Sequence, residues 1–212
     1  MDERLPDLTV RSLVERLASS DPVPGGGSAS ALAGAMGAAL VHMVIELTAG
    51  RPAGEGNEET LAEIRTAAAG WQSELLNLAE MDASAYTAVV RARRLPRDSE
   101  LDRNTRDAQL ATAIREATRV PLASARAASE VLELARRLAP IGNRNAVSDV
   151  GVAGLLATAA VRGAALNVQI NLPYVTADDE LRERAATEIE HLLATLDERD
   201  RSVRDAVAER LR

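Results

Sequence analysis

The 212-residue sequence predicts an all-α fold, a single bundle of about six helices, several of them long, with no sheet. Hydrophobic residues make up 46% of the chain, enough for a sizeable core, but aromatic residues make up only 1%. β-Sheets usually draw on aromatic and β-branched side chains, so an all-β fold is excluded. Alanine dominates the apolar residues and is the best helix former, so we expect helices that pack closely through small side chains.

Turn-forming residues separate the first three predicted helices. A short amphipathic helix over residues 8–18 ends at a run rich in Pro and Gly. The second predicted helix covers residues 28–49, and Ser28 is a suitable N-cap for it. After a second break that contains Gly and Pro, a long third helix is expected over residues 58–93.

The last three helices are predicted from similar signals. The fourth is expected over residues 101–138, with a kink or a break at Pro121, because proline lacks a backbone N–H. The fifth begins with Asn145 or Ser148 as its cap and ends by residue 173. The sixth begins at Thr176, in a weak capping box, and extends nearly to residue 212.

Composition and charge restrict the possible classes of function. The chain has no cysteine and two histidines, so disulfides, Cys-ligated metals and multi-histidine sites are excluded, and no metal is expected. The net charge of −7 argues against nucleic-acid binding, which needs a basic surface. Two apolar stretches, residues 28–49 and 150–172, contain polar groups that are costly in lipid, so we interpret them as buried helices and expect no membrane role. No signal peptide or linker is visible, so we expect a single cytoplasmic domain over residues 1–212.

The first candidate site is the run Gly25-Gly26-Gly27-Ser28, which precedes a helix rich in Ala and Gly. Glycines let the backbone approach a ligand closely, and the free N–H groups at a helix N-terminus favour an anion. A flexible turn followed by an ordinary cap explains the same residues equally well. The run is not a nucleotide phosphate loop, because that motif requires a lysine that is missing here.

Two further clusters carry polar residues suited to chemistry. Asp82 and Tyr86 are four residues apart and share a helix face, and Asp82 lies among small residues where a carboxylate could be partly buried. An exposed Asp on a solvated face is the simpler interpretation. The start of the fifth predicted helix gathers more polar groups than one cap needs: Asn143, Asn145, Ser148 and Asp149, with Asn167 farther along the same helix.

The segments that carry these motifs, taken in order, resemble the signature blocks of the formiminotetrahydrofolate cyclodeaminase / methenyltetrahydrofolate cyclohydrolase family. The resemblance covers residues 21–34, 82–96, 120–122, 142–153 and 166–172, and so spans nearly the whole chain. It implies a helical bundle that forms a homodimer, a tetrahydrofolate derivative bound as substrate in a groove of that bundle, and no metal or prosthetic group. Two basic features of the family are altered here, because a Lys-rich turn is replaced by residues 50–54 and a Lys before a Leu-Pro pair is Arg94.

Under this resemblance, both reactions of the family pass through a tetrahedral carbon next to two nitrogens and need a group that carries a proton. We assign this role to Asp82, with Asp149 as the alternative, because a positioned carboxylate provides general acid–base catalysis. At the pterin edge we expect Asn143, Asn145 and Asn167, with Ser148 in the same polar cluster, and Tyr86 beside the pterin ring. The backbone of Gly25, Gly26, Gly27 and Ser28 is expected at an anionic or carbonyl part of the folate. Arg94 is expected to bind a glutamate carboxylate.

The expected function is formation or opening of the 5,10-methenyl bridge of tetrahydrofolate. The first choice is formiminotetrahydrofolate cyclodeaminase, which forms the bridge from 5-formiminotetrahydrofolate and releases ammonia. The alternative is methenyltetrahydrofolate cyclohydrolase, which opens the bridge with water to give 10-formyltetrahydrofolate. A non-catalytic helical adaptor is the alternative from a different class, and a rise in melting temperature with a reduced folate separates the enzymes from it.

Overall fold

The computed structural model describes residues 4–175 and 180–212 and confirms the all-α prediction over those residues. They contain six α-helices and no strand: α1 (Val10–Leu17), α2 (Gly26–Glu46), α3 (Glu58–Arg93), α4 (Glu100–Leu138), α5 (Val147–Asn171) and α6 (Glu180–Leu211). The predicted start of the sixth helix at Thr176, with its capping box, lies outside the described residues.

Four long helices, α2 to α5, form an antiparallel bundle, and α6 packs along the α4–α5 edge. Small residues bring α2 close to its neighbours, as predicted. A Cβ added at Gly34 would lie 3.1 Å from the Leu75 side chain of α3 and 3.4 Å from the Ala160 Cβ of α5. At Gly37 it would lie 3.1 Å from the Ala153 carbonyl oxygen of α5. Glycine therefore allows helix axes to approach where any larger residue would separate them.

The helix ends confirm some predictions and correct others. The bounds of α3 are those predicted, whereas α2 begins two residues early, with Gly25 at the N-cap and no side-chain cap. Ser28 is therefore not a cap, because it lies inside the first turn with its hydroxyl turned toward α3. Neither Asn145 nor Ser148 caps α5, because a short 3₁₀ turn precedes that helix and Ala146 occupies its N-cap.

Pro121 does not break α4, which stays helical through it. A proline in a helix leaves the carbonyl four residues earlier without its backbone donor. Here that carbonyl belongs to Ala117, and it accepts a hydrogen bond of 2.7 Å from the Asn171 side chain of α5. A neighbouring helix therefore supplies the donor that the proline lacks.

Two stretches are long and apolar enough to cross a membrane by length and composition alone, Gly26–Glu46 and Arg144–Tyr174. The first is α2 and the second contains α5, and 50% and 44% of their most apolar windows are buried inside the bundle. Core helices of a bundle have this composition because they are packed on several sides.

Candidate functional site

Asp82 of α3 and Ser28 of α2 form a polar pair between their two helices. The Ser28 hydroxyl is fully buried, and its Oγ lies 2.9 Å from Asp82 Oδ2 and 3.0 Å from the Ala79 carbonyl oxygen. The direct contact with substrate predicted for Ser28 stays a prediction, and in this structure its hydroxyl is directed at Asp82 and the Ala79 carbonyl.

Gly27 makes room for this carboxyl group. A Cβ at Gly27 would lie 2.2 Å from Asp82 Oδ1, 2.5 Å from Cγ and 2.6 Å from Oδ2. The carboxyl group therefore fills the space beside the first turn of α2, where free N–H groups and the helix dipole favour an anion. At Gly27 the Asp82 carboxyl group occupies this space, and the predicted contact of the turn with an anionic or carbonyl part of the folate stays a prediction.

The environment of Asp82 shifts the pKa of its carboxyl group. Burial raises the pKa of Asp82 above its ordinary value, and hydrogen bonds from the side chain and backbone of Ser28 act in the opposite direction. Burial is the largest of these effects. A half-buried carboxyl group with a raised pKa is a candidate for general acid–base catalysis.

A cavity of about 180 Å³ lies beside Asp82. Its lining comes from the glycine turn and from α2 to α5: Pro22, Val23, Gly25, Gly26, Gly27, Asp82, Tyr86, Ala117, Asn167, Ile170 and Asn171. Asp82 and Tyr86 are the titratable residues of this lining. The cavity thus joins six of the predicted site residues: Gly25, Gly26, Gly27, Asp82, Tyr86 and Asn167.

Two asparagines one helical turn apart form the amide wall of this cavity. Asn167 Nδ2 donates to the Gly163 carbonyl at 2.8 Å, and a Cβ at Gly26 would lie 3.6 Å from that nitrogen. Asn171 donates to the carbonyls of Ala117 and Asn167. Sequence reasoning did not include Asn171 in the site, although its spacing of four residues from Asn167 was a usable signal.

A larger groove of about 620 Å³ lies between α3 and α4, on a different face of α3 from Asp82. Its walls are mostly apolar and include Met81, Ala88 and Ala113. Binding sites are recognised by polar groups that converge on an apolar pocket, more than by size. The larger groove also has polar residues in its lining, among them Glu80, Gln109 and Glu116. The smaller cavity is the one that contains the Asp82 carboxyl group, bound by the buried Ser28, together with five more of the predicted site residues.

The other predicted site residues lie far from Asp82 within one chain. Asn143 Nδ2 donates to the Leu47 carbonyl at 2.9 Å, and its backbone N–H donates to Thr48 Oγ1, just beyond the C-terminal end of α2. The glycine turn is at the opposite end of this 21-residue helix, which rises about 30 Å. Asn143 therefore stabilises the end of α2 and does not meet Asp82.

Three more predicted site residues, Asn145, Ser148 and Asp149, lie near Asn143 in the sequence, and together with it they are called the distal cluster below. Asn145 and Ser148 are exposed, and Asp149 is half-buried in the first turn of α5. Asn167 lies 18 residues farther along α5, about 27 Å by helical rise. Arg94 is exposed at the C-terminal end of α3, 12 residues or about 18 Å from Asp82. One chain therefore does not bring these four residues to the cavity.

The fold and the cavity define a helical-bundle protein with a half-buried carboxyl group held beside a helix N-terminus and faced by amides. Comparison with known proteins then identifies the family. The family model described as formiminotransferase-cyclodeaminase matches residues 9–191. The chain belongs to this family, which confirms the resemblance found in the sequence.

Named relatives cover the chain at different lengths. A methenyltetrahydrofolate cyclohydrolase of Methylorubrum extorquens is 41% identical over 88% of this chain and 89% of its own length. A formimidoyltransferase-cyclodeaminase of Rattus norvegicus is 33% identical over 91% of this chain but only 35% of its own length. The crystal structure of a formiminotetrahydrofolate cyclodeaminase from Thermotoga maritima is 27% identical, with a TM-score of 0.85 over 97% of this chain and 98% of that one.

Proposed function

We propose that this chain is a single-domain cytoplasmic enzyme that acts on the 5,10-methenyl bridge of tetrahydrofolate without a metal or prosthetic group. The observation that most supports this proposal is the Asp82 carboxyl group, held by Ser28 beside an amide-lined cavity. We place opening of the bridge by water first, because a methenyltetrahydrofolate cyclohydrolase is 41% identical over nearly equal lengths. This order reverses the choice made from sequence alone.

In the proposed hydrolysis, ionised Asp82 accepts a proton from the water that attacks the bridge carbon. The carbon becomes tetrahedral, with an oxygen and two nitrogens. The C–N5 bond then breaks as Asp82 returns its proton to N5, and the hydroxyl proton leaves to solvent, which gives 10-formyltetrahydrofolate. A positioned general acid–base group contributes about 10²–10⁴-fold to the rate of such steps.

The same carboxyl group serves cyclodeaminase chemistry, which is the second candidate. The formimino group reacts in its protonated form, –CH=NH2⁺, and N10 attacks its carbon to give a tetrahedral carbon that carries an amino group. Asp82 carries the N10 proton to that amino group, and the C–N bond to it breaks, which releases ammonia and leaves the cationic methenyl bridge. The observation that favours this candidate is the structural match to a formiminotetrahydrofolate cyclodeaminase over 98% of that chain. Both reactions use Asp82 at the same tetrahedral carbon, so the position of Asp82 does not separate them.

The size of the cavity limits what one chain can enclose. Its volume of about 180 Å³ is below the roughly 300–1,000 Å³ of sites that bury a drug-sized ligand. We infer that this cavity receives the pterin end of the folate, and that the aminobenzoyl-glutamate end lies outside it. Tyr86 lines the cavity and is 42% exposed, and we expect it to flank the ring.

We propose that a second copy of this chain covers the outer face of α2 and α5. That face exposes Met36 by 54%, Leu155 by 55%, Leu166 by 66% and Ile170 by 68%. Large exposed apolar patches mark interaction sites in soluble proteins. Ile170 also lines the cavity, so a homodimer formed through this face would place the site near the subunit boundary.

A second copy is also required for the predicted roles of the distal cluster. The helices α2 and α5 are antiparallel, and α2 is about 30 Å long and α5 about 37 Å. A two-fold axis across them would therefore bring the far end of one subunit to the glycine turn of the other. Under that arrangement Asn145, Ser148 and Asp149 of one subunit would border the cavity of its partner. Their binding roles depend on this proposal.

Activity measurements with two substrates test the proposed function. Loss of methenyl absorbance from 5,10-methenyltetrahydrofolate reports hydrolysis, and release of ammonia from 5-formiminotetrahydrofolate reports cyclodeamination. We expect the first reaction to have the larger kcat/KM. If neither substrate reacts and no reduced folate raises the melting temperature, the protein is a non-catalytic adaptor and the proposal is wrong.

A further inference from the structure

Pro121 occupies a position in α4 where a helix normally makes a backbone hydrogen bond. An ordinary residue would donate its N–H to the Ala117 carbonyl, four residues earlier. The proline has no N–H, and its ring pushes that carbonyl outward. Pro121 and Ala117 are both buried, so an unpaired carbonyl oxygen would be costly here.

The Asn171 side chain replaces the missing donor. Its Nδ2 donates to the Ala117 carbonyl at 2.7 Å and to the Asn167 carbonyl at 3.0 Å. An amide nitrogen carries two hydrogens, so both are used. Both partners are carbonyl oxygens that only accept, so the amide cannot be flipped, and Oδ1 is the atom left to accept from a ligand.

We propose that Asn171 is a substrate-positioning residue, fixed by the hydrogen bond that Pro121 leaves vacant, whose Oδ1 accepts from an N–H group of the ligand. Asn171 lines the cavity beside Asp82, so a bound ligand is within its reach. The proposal rests on the proposed function, in which the ligand is a reduced pterin with ring N–H and amino donors. Pro121 does not touch the ligand and acts through Asn171.

Pro121→Ala tests the proposal because it returns an N–H to position 121. That N–H bonds to the Ala117 carbonyl and releases Asn171, so KM for the folate substrate should rise about ten-fold while kcat stays within about three-fold of wild type. Asn171→Ala should raise KM at least as much. Pro96→Ala, in the loop after α3, is the matched control and should leave KM unchanged. A wild-type KM in Pro121→Ala overturns the proposal.

Unfolding by denaturant gives a second test that needs no activity. Asn171→Ala leaves the Ala117 carbonyl unpaired when Pro121 is present, but not when residue 121 supplies an N–H. Asn171→Ala should therefore lower the denaturant concentration at the midpoint of unfolding more in the wild-type background than in the Pro121→Ala background. Equal falls refute the link between Pro121 and Asn171. If the wild-type protein turns over no folate, the proposed function and the ligand assigned to Asn171 are wrong. The comparison of the two denaturation midpoints still tests the link between Pro121 and Asn171 in that case.

Discussion

Gly27→Ala is the substitution that most directly perturbs Asp82 without changing it. The added Cβ would lie 2.2–2.6 Å from three atoms of the Asp82 carboxyl group. Ordinary contacts of a Cβ begin near 3.4 Å, so the carboxyl group must move by about 1 Å. That movement breaks its 2.9 Å hydrogen bond with Ser28 and turns it away from the position that faces the cavity.

The magnitudes follow from these distances. Overpacking in a filled interior costs about 1–3 kcal/mol, and loss of a buried hydrogen bond adds about 1 kcal/mol or more. Replacing Gly by Ala in a helix returns up to about 1 kcal/mol. We therefore expect Gly27→Ala to lower the free energy of unfolding by about 2 kcal/mol. Displacement of a catalytic group by 1 Å costs about 100-fold in rate, so kcat should fall by about that factor.

Gly26→Ala is the matched control for stability. A Cβ at Gly26 would meet only Asn167 Nδ2 at 3.6 Å, an ordinary contact, and the change in helix propensity is similar. Denaturant unfolding and methenyl turnover should be measured for both variants, and for Gly27→Ala in an Asp82→Ala background. Removing the carboxyl group removes the overlap, so the stability loss should disappear there. An equal loss in both backgrounds, or wild-type turnover in Gly27→Ala, refutes the reasoning.

Three further predictions follow from the same structure. Burial raises the pKa of Asp82, so the native protein keeps a proton that the unfolded chain has lost, and its stability should fall as pH rises from 3.8 to the pKa of the folded protein. Asp82→Asn should abolish this fall in the free energy of unfolding with pH, and an unchanged dependence on pH contradicts the effect of burial. The same variant should lower kcat by about 10²–10⁴-fold. Asn143→Ala should lower the free energy of unfolding by about 1–3 kcal/mol, because the end of α2 loses its amide donor. In the same denaturation assay, Asn77→Ala is the control and should have little effect, because Asn77 is exposed. Leu155→Asp should shift sedimentation toward the monomer, and Leu101→Asp, at a leucine of α4 that is even more exposed, should not. Identical sedimentation of the two variants argues against the proposed dimer face.

Sequence patterns predicted the helices best where strong breakers lie on both sides. The bounds of α3 matched at Glu58 and Arg93 because glycines precede the helix and Pro96 follows it. Ser28 was misassigned because serine is both a good N-cap and a good donor to other groups. Its actual partner, Asp82, lies 54 residues away, and local spacing carries no information about a contact at that distance.

The distal cluster shows a second limit of sequence reasoning. Asn143 and Asn145 carry the residue types expected of a pterin site, but within one chain they form a turn that stabilises the end of α2. A helix of 21 residues separates that end from the glycine turn. Only the antiparallel packing of α2 and α5, which depends on the whole bundle, decides which polar residues of α5 reach Asp82.

Each of the four bundle helices departs from regular helix chemistry at the end of the bundle that holds Asp82. α2 begins there without a side-chain cap, α3 carries a half-buried acid, α4 contains Pro121, and α5 ends on two asparagines one turn apart. Residues that break local rules are expected at functional sites, where other interactions compensate for them. Here the compensation is mutual, since Ser28 of α2 binds the acid of α3 and Asn171 of α5 binds the carbonyl that the proline of α4 leaves unpaired. Asp82 and Pro121 are visible in the sequence as separate features, and their shared location follows once the helices alternate in direction.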